Sequence, residues 1–422
     1  MIDVLVVGAG AAGLFAAAAF ARAGLEVEVW EKREERRPLS RAIGVHAPAL
    51  RALEAVGAAD PLVAEAVLVR RGHARVSTVV GAGARPRPVG TVSFDRVSAR
   101  FPFVATLPQH RTEAILAEAV RAAGAQAVHY GREVVGIAPD ARGVTVRAEA
   151  AHSPTAHAAP AEVRARFVVI ADGSESPARR RLGVRTHGRV YGDHYLMGDV
   201  ADPTGDGDDA VVTLTPHGVV ESFPLPGGVR RFVVHTPVML ADGEQSRAGD
   251  SPAAHALARL VSTRTGVTPD PATATMVSAF GVRRSLAERF VVGSRVAIIG
   301  DAAHEISPIG GQGMNLGWLD VAALVPVVVA LLGGRDSSIP TLAPTGADPL
   351  DALGVWERRR RRAAAGAARQ AEINMAVSAP GSALALHARG LLLERALRGA
   401  GADRLGRVYA MGGDAGVPTV GS

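Results

Sequence analysis

Apolar positions along the chain fall into two patterns. Residues 2–7, 167–170 and 296–299 are short unbroken blocks rich in Val and Ile, which predicts strands buried on both faces of a parallel sheet. The first block runs through Gly8-Ala9-Gly10-Ala11-Ala12-Gly13 into an alanine-rich helix reaching about Ala23. Gly24 is its expected stop, and a second strand follows over 25–30. Between the second and third blocks the pattern shortens. Residues 210–215, 218–223 and 229–235 read as antiparallel strands joined by Pro216-His217-Gly218 and Pro226-Gly227-Gly228. Residues 353–397 read as helical, with Arg358 to Arg362 as a solvated face. Residues 150–161 have the composition of an exposed loop and 337–349 that of a linker; no internal repeat is visible.

Chemistry concentrates at the ends of the apolar blocks. Gly8 suits a tight turn, Gly10 a close approach to a pyrophosphate, and Gly13 the packing of helix on strand. The helix that follows offers free N–H groups and a positive dipole end to phosphates. Glu31 closes the second strand eighteen residues after Gly13, where an acid accepts hydrogen bonds from ribose hydroxyls. This arrangement predicts a dinucleotide and leaves NAD and FAD both open. Asp172-Gly173 forms a turn after the second block, ahead of Ser174, Ser176 and Arg179 to Arg181 at a helix start. Gly300-Asp301 sets a carboxylate at the carboxyl end of the third block, where ligands of open α/β sheets bind. Gly310-Gly311-Gln312-Gly313 is a flexible loop feeding a helix near Met314. His304 and the mid-helix Asp320 read as structural partners rather than catalysts.

Composition narrows the classes. The 422 residues carry 48% hydrophobic and 21% charged side chains, as a folded chain with a large core would. Its charge is +6, nearly all arginine on the basic side, with Lys32 the single lysine. Aromatics at 4% are too few for a nucleic-acid stacking platform, so no nucleic-acid partner is expected. The lack of cysteine removes disulfides, thiolate catalysis and iron–sulfur chemistry, and the thirteen histidines form no HExxH, so no metal is expected. The apolar stretch 321–332 is shorter than the about 20 residues a bilayer span needs. With no apolar leader at the start, a cytoplasmic enzyme is the expectation.

In order and spacing, Gly8–Gly13 with Glu31, Asp172-Gly173, and Gly300-Asp301 through Asn315 resemble the class A flavoprotein monooxygenases. That family includes para-hydroxybenzoate, phenol and aromatic polyketide hydroxylases. The stretch GQGMNLGWLDVAAL and the run Trp356-Glu357-Arg358-Arg359-Arg360-Arg361 are similar to the ubiquinone-biosynthesis branch. The resemblance implies FAD as cofactor, NADPH or NADH as transient reductant and O2 as co-substrate. Its chemistry would proceed through a flavin C4a-hydroperoxide to hydroxylate a phenolic, quinol-like or polyketide ring. By the same resemblance Gly8, Gly10, Ala12, Gly13, Glu31, Lys32, Arg41, Gln109, Asp172, Gly173, Asp301, Gly311, Gly313, Met314 and Asn315 would hold the cofactor. Pro308 would line the reacting edge of the flavin. No general base is identified. Tyr195, Met197, His217 and Phe223 are candidates for the substrate wall.

The expected fold is α/β: a Rossmann-like FAD-binding domain of the GR2 type, a mixed β-sheet substrate domain, and C-terminal helices. The FAD-binding part is expected over 1–75, 101–182 and 281–335, and substrate-domain strands over 76–100 and 183–280. A linker and helical region fills 336–422, which leaves no room for the thioredoxin-like domain many relatives carry there. The protein is expected to be a monomer or homodimer with no integral membrane span. Alternatives on the same scaffold are a geranylgeranyl-reductase-like FAD enzyme and a Baeyer–Villiger oxygenase; a non-flavin NAD-binding regulator would need only the first motif. A halogenase is disfavoured because Trp30, Trp318 and Trp356 stand far apart.

Overall fold

A computed structural model describes residues 1–36, 41–81, 83–125, 128–150, 161–240, 249, 251–333 and 349–412. Ser40, the loop expected over 151–160, the linker expected before Pro349 and the last ten residues lie outside the described residues.

The three apolar blocks do form adjacent strands of one sheet. Its path runs Val291–Val292, Val296–Ile298, Ala161–Ile170, Ile2–Val7, Val27–Trp30, Val128–His129, parallel from Val296–Ile298 onward. Two antiparallel strands, Arg132–Pro139 and Val144–Ala150, extend it from Ala161–Ile170. Register is the feature that matters for function. Val7 lies opposite both Ile170 and Trp30, and Ile170 opposite Ile298. The turns after these strands therefore leave the sheet at one edge, with Gly8, Glu31, Ala171 and Ile299 in a row. Backbone bonds continue across it, from Gly8 N–H to the Trp30 carbonyl (2.8 Å) and from Ile299 N–H to that of Ile170 (3.0 Å). Helices Ala11–Arg22 and Gly313–Leu331 pack behind this edge, and the Trp318 indole donates to the Ala11 carbonyl at 3.0 Å.

The second sheet runs His304–Glu305, Met276–Ala287, Thr186–Ala201, Val229–Thr236, Gly218–Leu225, Ala210–Thr215, Arg71–Val76, Arg87–Ser93. The three expected central strands are present. The strand Arg71–Val76, ahead of the expected break at 76, already belongs here and pairs in parallel with Ala210–Thr215. The long strands Thr186–Ala201 and Met276–Ala287 carry no clean alternation in sequence: residues 195–200 and 276–280 are covered on both faces, whereas the part of the first strand before Tyr195 is largely exposed. Helix Pro252–Thr265 covers one face through Leu257 and Val261, which meet Leu196, Val220 and Phe232. The other face, with Tyr195, Met197 and Phe280, meets Met375 and Leu386 of the C-terminal helices Pro349–Ser378 and Ala383–Ala396.

Where the sheets meet, Asp320 is fully buried. Its carboxylate accepts from Gly300 N–H (3.1 Å), His304 Nε2 (2.6 Å) and Arg360 Nε (2.8 Å), while its carbonyl accepts from the Trp356 indole (3.0 Å). Burial alone would raise this carboxyl, but His304 and Arg360 outweigh it and hold it below the ordinary aspartate range. Asp320 and His304 are thus structural, as expected. Arg360 corrects the expectation of a solvated arginine face: it is buried, whereas Arg358, Arg359, Arg361 and Arg362 are exposed. Among the described residues, Gly313–Leu331 is the helix long and apolar enough to cross a membrane, and 72% of that stretch is buried inside the fold.

Substituting Asp320→Ala removes the buried acceptor shared by Gly300 N–H, His304 and Arg360, so the protein should lose about 3–5 kcal/mol of stability. A lowered urea midpoint would show this; a midpoint within error of wild type would refute the ion cluster as a structural joint.

Candidate active site

The glycine turn is shaped by what a side chain would strike. Gly8 has φ of 104°, and a Cβ there would sit 2.5 Å from the Ala171 carbonyl oxygen. At Gly13 it would sit 1.9 Å from the Gly8 carbonyl oxygen, so the helix reaches the strand only because this position is glycine. Gly10 differs: a Cβ would meet nothing within 4 Å, which leaves open space over the helix start. That helix has no side-chain cap, and Gly10, Ala11 and Ala12 line a cavity.

Glu31 is buried at the second strand's end. Its carboxylate accepts from Ala9 N–H (2.7 Å), from Arg33 N–H (2.9 Å) and from the Arg33 guanidinium (2.8 Å). Burial works against its charge, yet these donors lower its pKa overall. Arg33 rather than Glu31 reaches the cavity wall, so the pair presents a cation backed by an acid. Beside it Gln109 Nε2 donates to Glu113 at 2.8 Å, and burial raises the Glu113 carboxyl.

Asp301 follows Ile299 and Gly300 at the third strand end. Its side chain opens into the cavity, with no hydrogen bond among the described residues, and its surroundings raise its pKa through desolvation. Close packing brings it there: a Cβ on Gly317 would lie 3.2 Å from Gly300 Cα and 3.3 Å from Ala12 Cβ. The loop over 308–312 then turns through Gly310 (φ 104°) and Gly311 (φ 65°) into the helix Gly313–Leu331. Asn315 staples this loop. Its amide donates to the Gly311 carbonyl (2.9 Å) and the Gly44 carbonyl (3.0 Å), and its oxygen accepts from His46 N–H (2.8 Å). The helix start carries no side-chain cap, leaving Gly313 and Met314 on the cavity wall with free donors.

These groups enclose a cavity of about 1100 Å³ that extends from the sheet edge under the second sheet. Its far wall is largely apolar, with Met197, Val212, Phe223, Val233 and Phe280 facing Leu393 and Leu397. Arg41 lies over the Phe280 ring at 5.6 Å, and its carbonyl accepts from Arg231, whose guanidinium is fixed by both oxygens of Asp199 (2.6 and 2.7 Å).

Of the expected residues, Gly10, Ala12, Arg41, Gln109, Gly173, Asp301, Pro308, Gly311, Gly313 and Met314 line this one cavity, as do Met197 and Phe223. Gly8, Gly13, Glu31 and Asn315 stand behind it and shape it. Others fall elsewhere. Lys32 is exposed outside the cavity, because the chain turns outward after Glu31. The Asp172 carboxylate turns to its own helix, accepting from Ser176 and from Ala178 N–H (3.0 Å), while Arg179 binds the Ala302 carbonyl at 2.7 Å. Tyr195 is fully buried, stacked on Phe280. His217 occupies an exposed hairpin turn, with its carbonyl near His235 Nδ1. Sequence reasoning missed Arg33, His46, Glu221 and Tyr409 as wall residues. Only Glu221 carried a signal: an acid inside the apolar strand run Gly218–Leu225.

Residues 1–339 match the FAD binding domain family, and the chain belongs to this family of class A flavoprotein monooxygenases. It is similar to rifampicin monooxygenase of Streptomyces venezuelae, 32% identical over 324 residues, which are 76% of this chain and 62% of that protein. It is also similar to 12-dehydrotetracycline 5-monooxygenase/anhydrotetracycline 6-monooxygenase of Streptomyces rimosus, 29% identical over 87% of this chain and 68% of that protein. The chain thus spans about three fifths of the first relative's length. The crystal structure of p-nitrophenol 4-monooxygenase from Pseudomonas putida shares the fold: its TM-score is 0.82 at 21% identity, covering 100% of this chain and 99% of that one. The residues present fit FAD: an open cradle at Gly10, two uncapped helix starts and the unpartnered Asp301 carboxylate face one cavity.

Replacing Gly13 by Ala forces the helix off the strand, so FAD should bind at least about tenfold more weakly, read by quenching of flavin fluorescence. A second expectation concerns acid. Burial holds the His46 imidazole down at about 4, against 6.5 unfolded. The unfolded chain therefore takes up a proton first, and stability falls as pH drops from about 6.5 to about 4, by up to roughly 3 kcal/mol. Denaturation midpoints should decline less steeply over that window in His46→Gln than in wild type.

Proposed function

We propose that the chain is an FAD-dependent monooxygenase, a cytoplasmic monomer or homodimer, that uses NADPH or NADH and O2 to hydroxylate an aromatic substrate. The observation that carries this reading is the continuity of the cavity. Dinucleotide-type groups stand at one end, and an apolar chamber wide enough for a ring system lies at the other, with no wall between. Its volume exceeds the roughly 300–1,000 Å³ of an ordinary small-molecule site, as a cofactor together with a substrate would require.

In this reading the first sheet and its loops hold the cofactor, and the second sheet roofs the substrate; the strand Arg71–Val76 joins the substrate side. The Glu31–Arg33 pair meets the adenosine end, the helix start at Gly10–Ala12 takes the pyrophosphate, and Asp301 accepts from hydroxyls of the ribitol chain. The N–H groups at Gly313 and Met314 offer positive dipole ends to the pyrimidine edge, where reduced flavin carries negative charge. Pro308 and Arg41 border the reacting edge. Bound FAD supplies the electron transfer and the activation of oxygen; the chain supplies orientation, charge stabilisation and exclusion of water. The apolar lining of Phe223, Phe280 and Leu397 serves the last role, since water at the reacting centre diverts oxygen to peroxide. The relatives named for rifampicin and anhydrotetracycline favour a polycyclic, hydroxylated aromatic.

FAD-loaded protein should be yellow and, with NADPH or NADH under ¹⁸O₂, should add one labelled oxygen atom to a member of a panel of rifampicin, anhydrotetracycline and simple phenols. Product formation without O2 would instead mark a reductase. Ring insertion, seen by NMR of the product, would mark Baeyer–Villiger chemistry.

A further inference from the structure

Glu221 is a charged side chain in an apolar place. It lies mid-strand in Gly218–Leu225, opposite Val212 on one side and Val233 on the other, and it is 8% exposed. That residual exposure is to the cavity, whose wall it joins beside Phe223 and Met197. No hydrogen bond or ion pair reaches its carboxylate among the described residues. The nearby cations are engaged elsewhere: Arg231 by Asp199, His73 by Asp209 at 2.8 Å, and His235 with Asp193 at 3.1 Å. From the strand Thr186–Ala201 the neighbouring titratable group is Tyr195, and from the helix Ala400–Tyr409 it is Tyr409. Burial first, and the Glu221 charge second, push both phenols well above their ordinary range, so neither supplies a compensating charge.

An unpartnered carboxylate inside an apolar chamber is costly, and the cost falls when a ligand brings a donor to it. We propose that Glu221 is the polar anchor of the substrate chamber: it accepts the hydrogen bond of a phenolic hydroxyl on the aromatic substrate and receives its proton. When it does so, the substrate O–H bond breaks and a Glu221 O–H bond forms. The electron pair stays on the phenolate oxygen, and the negative charge passes from carboxylate to ring. An electron-rich ring is the form that attacks an electrophilic oxygen. Burial supports this role by pushing the Glu221 carboxyl up to about 7, so that it exchanges a proton near neutrality. The chamber therefore selects hydroxyarenes over arenes lacking a donor. This inference rests on the aromatic substrate of the proposed function, but its test does not need turnover.

The test titrates 2-naphthol and its methyl ether, 2-methoxynaphthalene, into FAD-loaded full chain and reads the flavin absorbance at pH 6 and pH 8.5. Ionised Glu221 accepts more strongly than its acid form, so naphthol affinity in wild type should rise about tenfold between these pH values. The ether, which has no donor, should bind with one affinity throughout. In Glu221→Gln, close to isosteric, the naphthol profile should become flat while FAD content and ether affinity stay within twofold of wild type. Equal binding of naphthol and ether in wild type overturns the inference, as does no binding of naphthol, or an unaltered pH profile in the variant. The wild-type comparison needs no variant to fold. Oxygen uptake with NADPH or NADH is read separately. Its absence alongside hydroxyl-dependent binding would remove the monooxygenase reading and leave the anchor standing. Labelled hydroxylation with a flat binding profile would remove only the anchor.

Discussion

The buried carboxylate of Asp320 joins the parts of this protein that form the site. Through one side chain it holds Gly300 at the carboxyl edge of the first sheet, His304 at the border of the second, and Arg360 on the helix Pro349–Ser378. Its own helix, Gly313–Leu331, begins at the loop that faces the cavity. A charge in a dry interior tolerates little displacement, because lengthening any one bond exposes the full cost of desolvation. The position of Asp301, adjacent to Gly300, is thereby tied to the placement of the roof.

The first sheet adds a second constraint. Parallel strands in register emit their loops at one edge, and Val7, Trp30, Ile170 and Ile298 reach that edge together. Segments almost three hundred residues apart in sequence thus contribute neighbouring backbone to one wall. Glycine makes the contacts possible: Gly13 approaches Gly8 at a distance that a methyl group forbids, and Gly317 lies so close to Gly300 and Ala12 that a methyl group would be crowded.

Acids in and behind this wall divide by what satisfies them. Glu31 and Asp199 are buried against arginines and backbone donors, and Asp172 against its own helix, so they build the frame. Among the described residues, Asp301 and Glu221 face the cavity with no such partners, at its cofactor end and its chamber end respectively. These two carboxylates mark where hydroxyl-bearing ligands gain most.

The fold class and the cofactor end were legible because their signals are local. A strand, a glycine turn, a helix start and an acid follow one another within about thirty residues, and steric rules fix each glycine's place. The roof was only partly legible. The hairpins of 210–236 announce themselves through turn residues, but residues 195–200 and 276–280 are covered on both faces and lack the alternation that marks a half-exposed strand. Side-chain direction was legible only in part: Arg41, Gln109 and Asp301 line the cavity as expected. Asp172 and Lys32 sit in the expected motif and turn away from the cavity, Tyr195 is packed beneath the wall, and Arg360 leaves an exposed arginine run to meet Asp320. By itself, then, the order of residues determined the family, the glycine cradle and the row of strand ends. The tertiary structure alone decided which charges face the ligand and which hold the frame, because that depends on partners distant in the chain that no local pattern encodes.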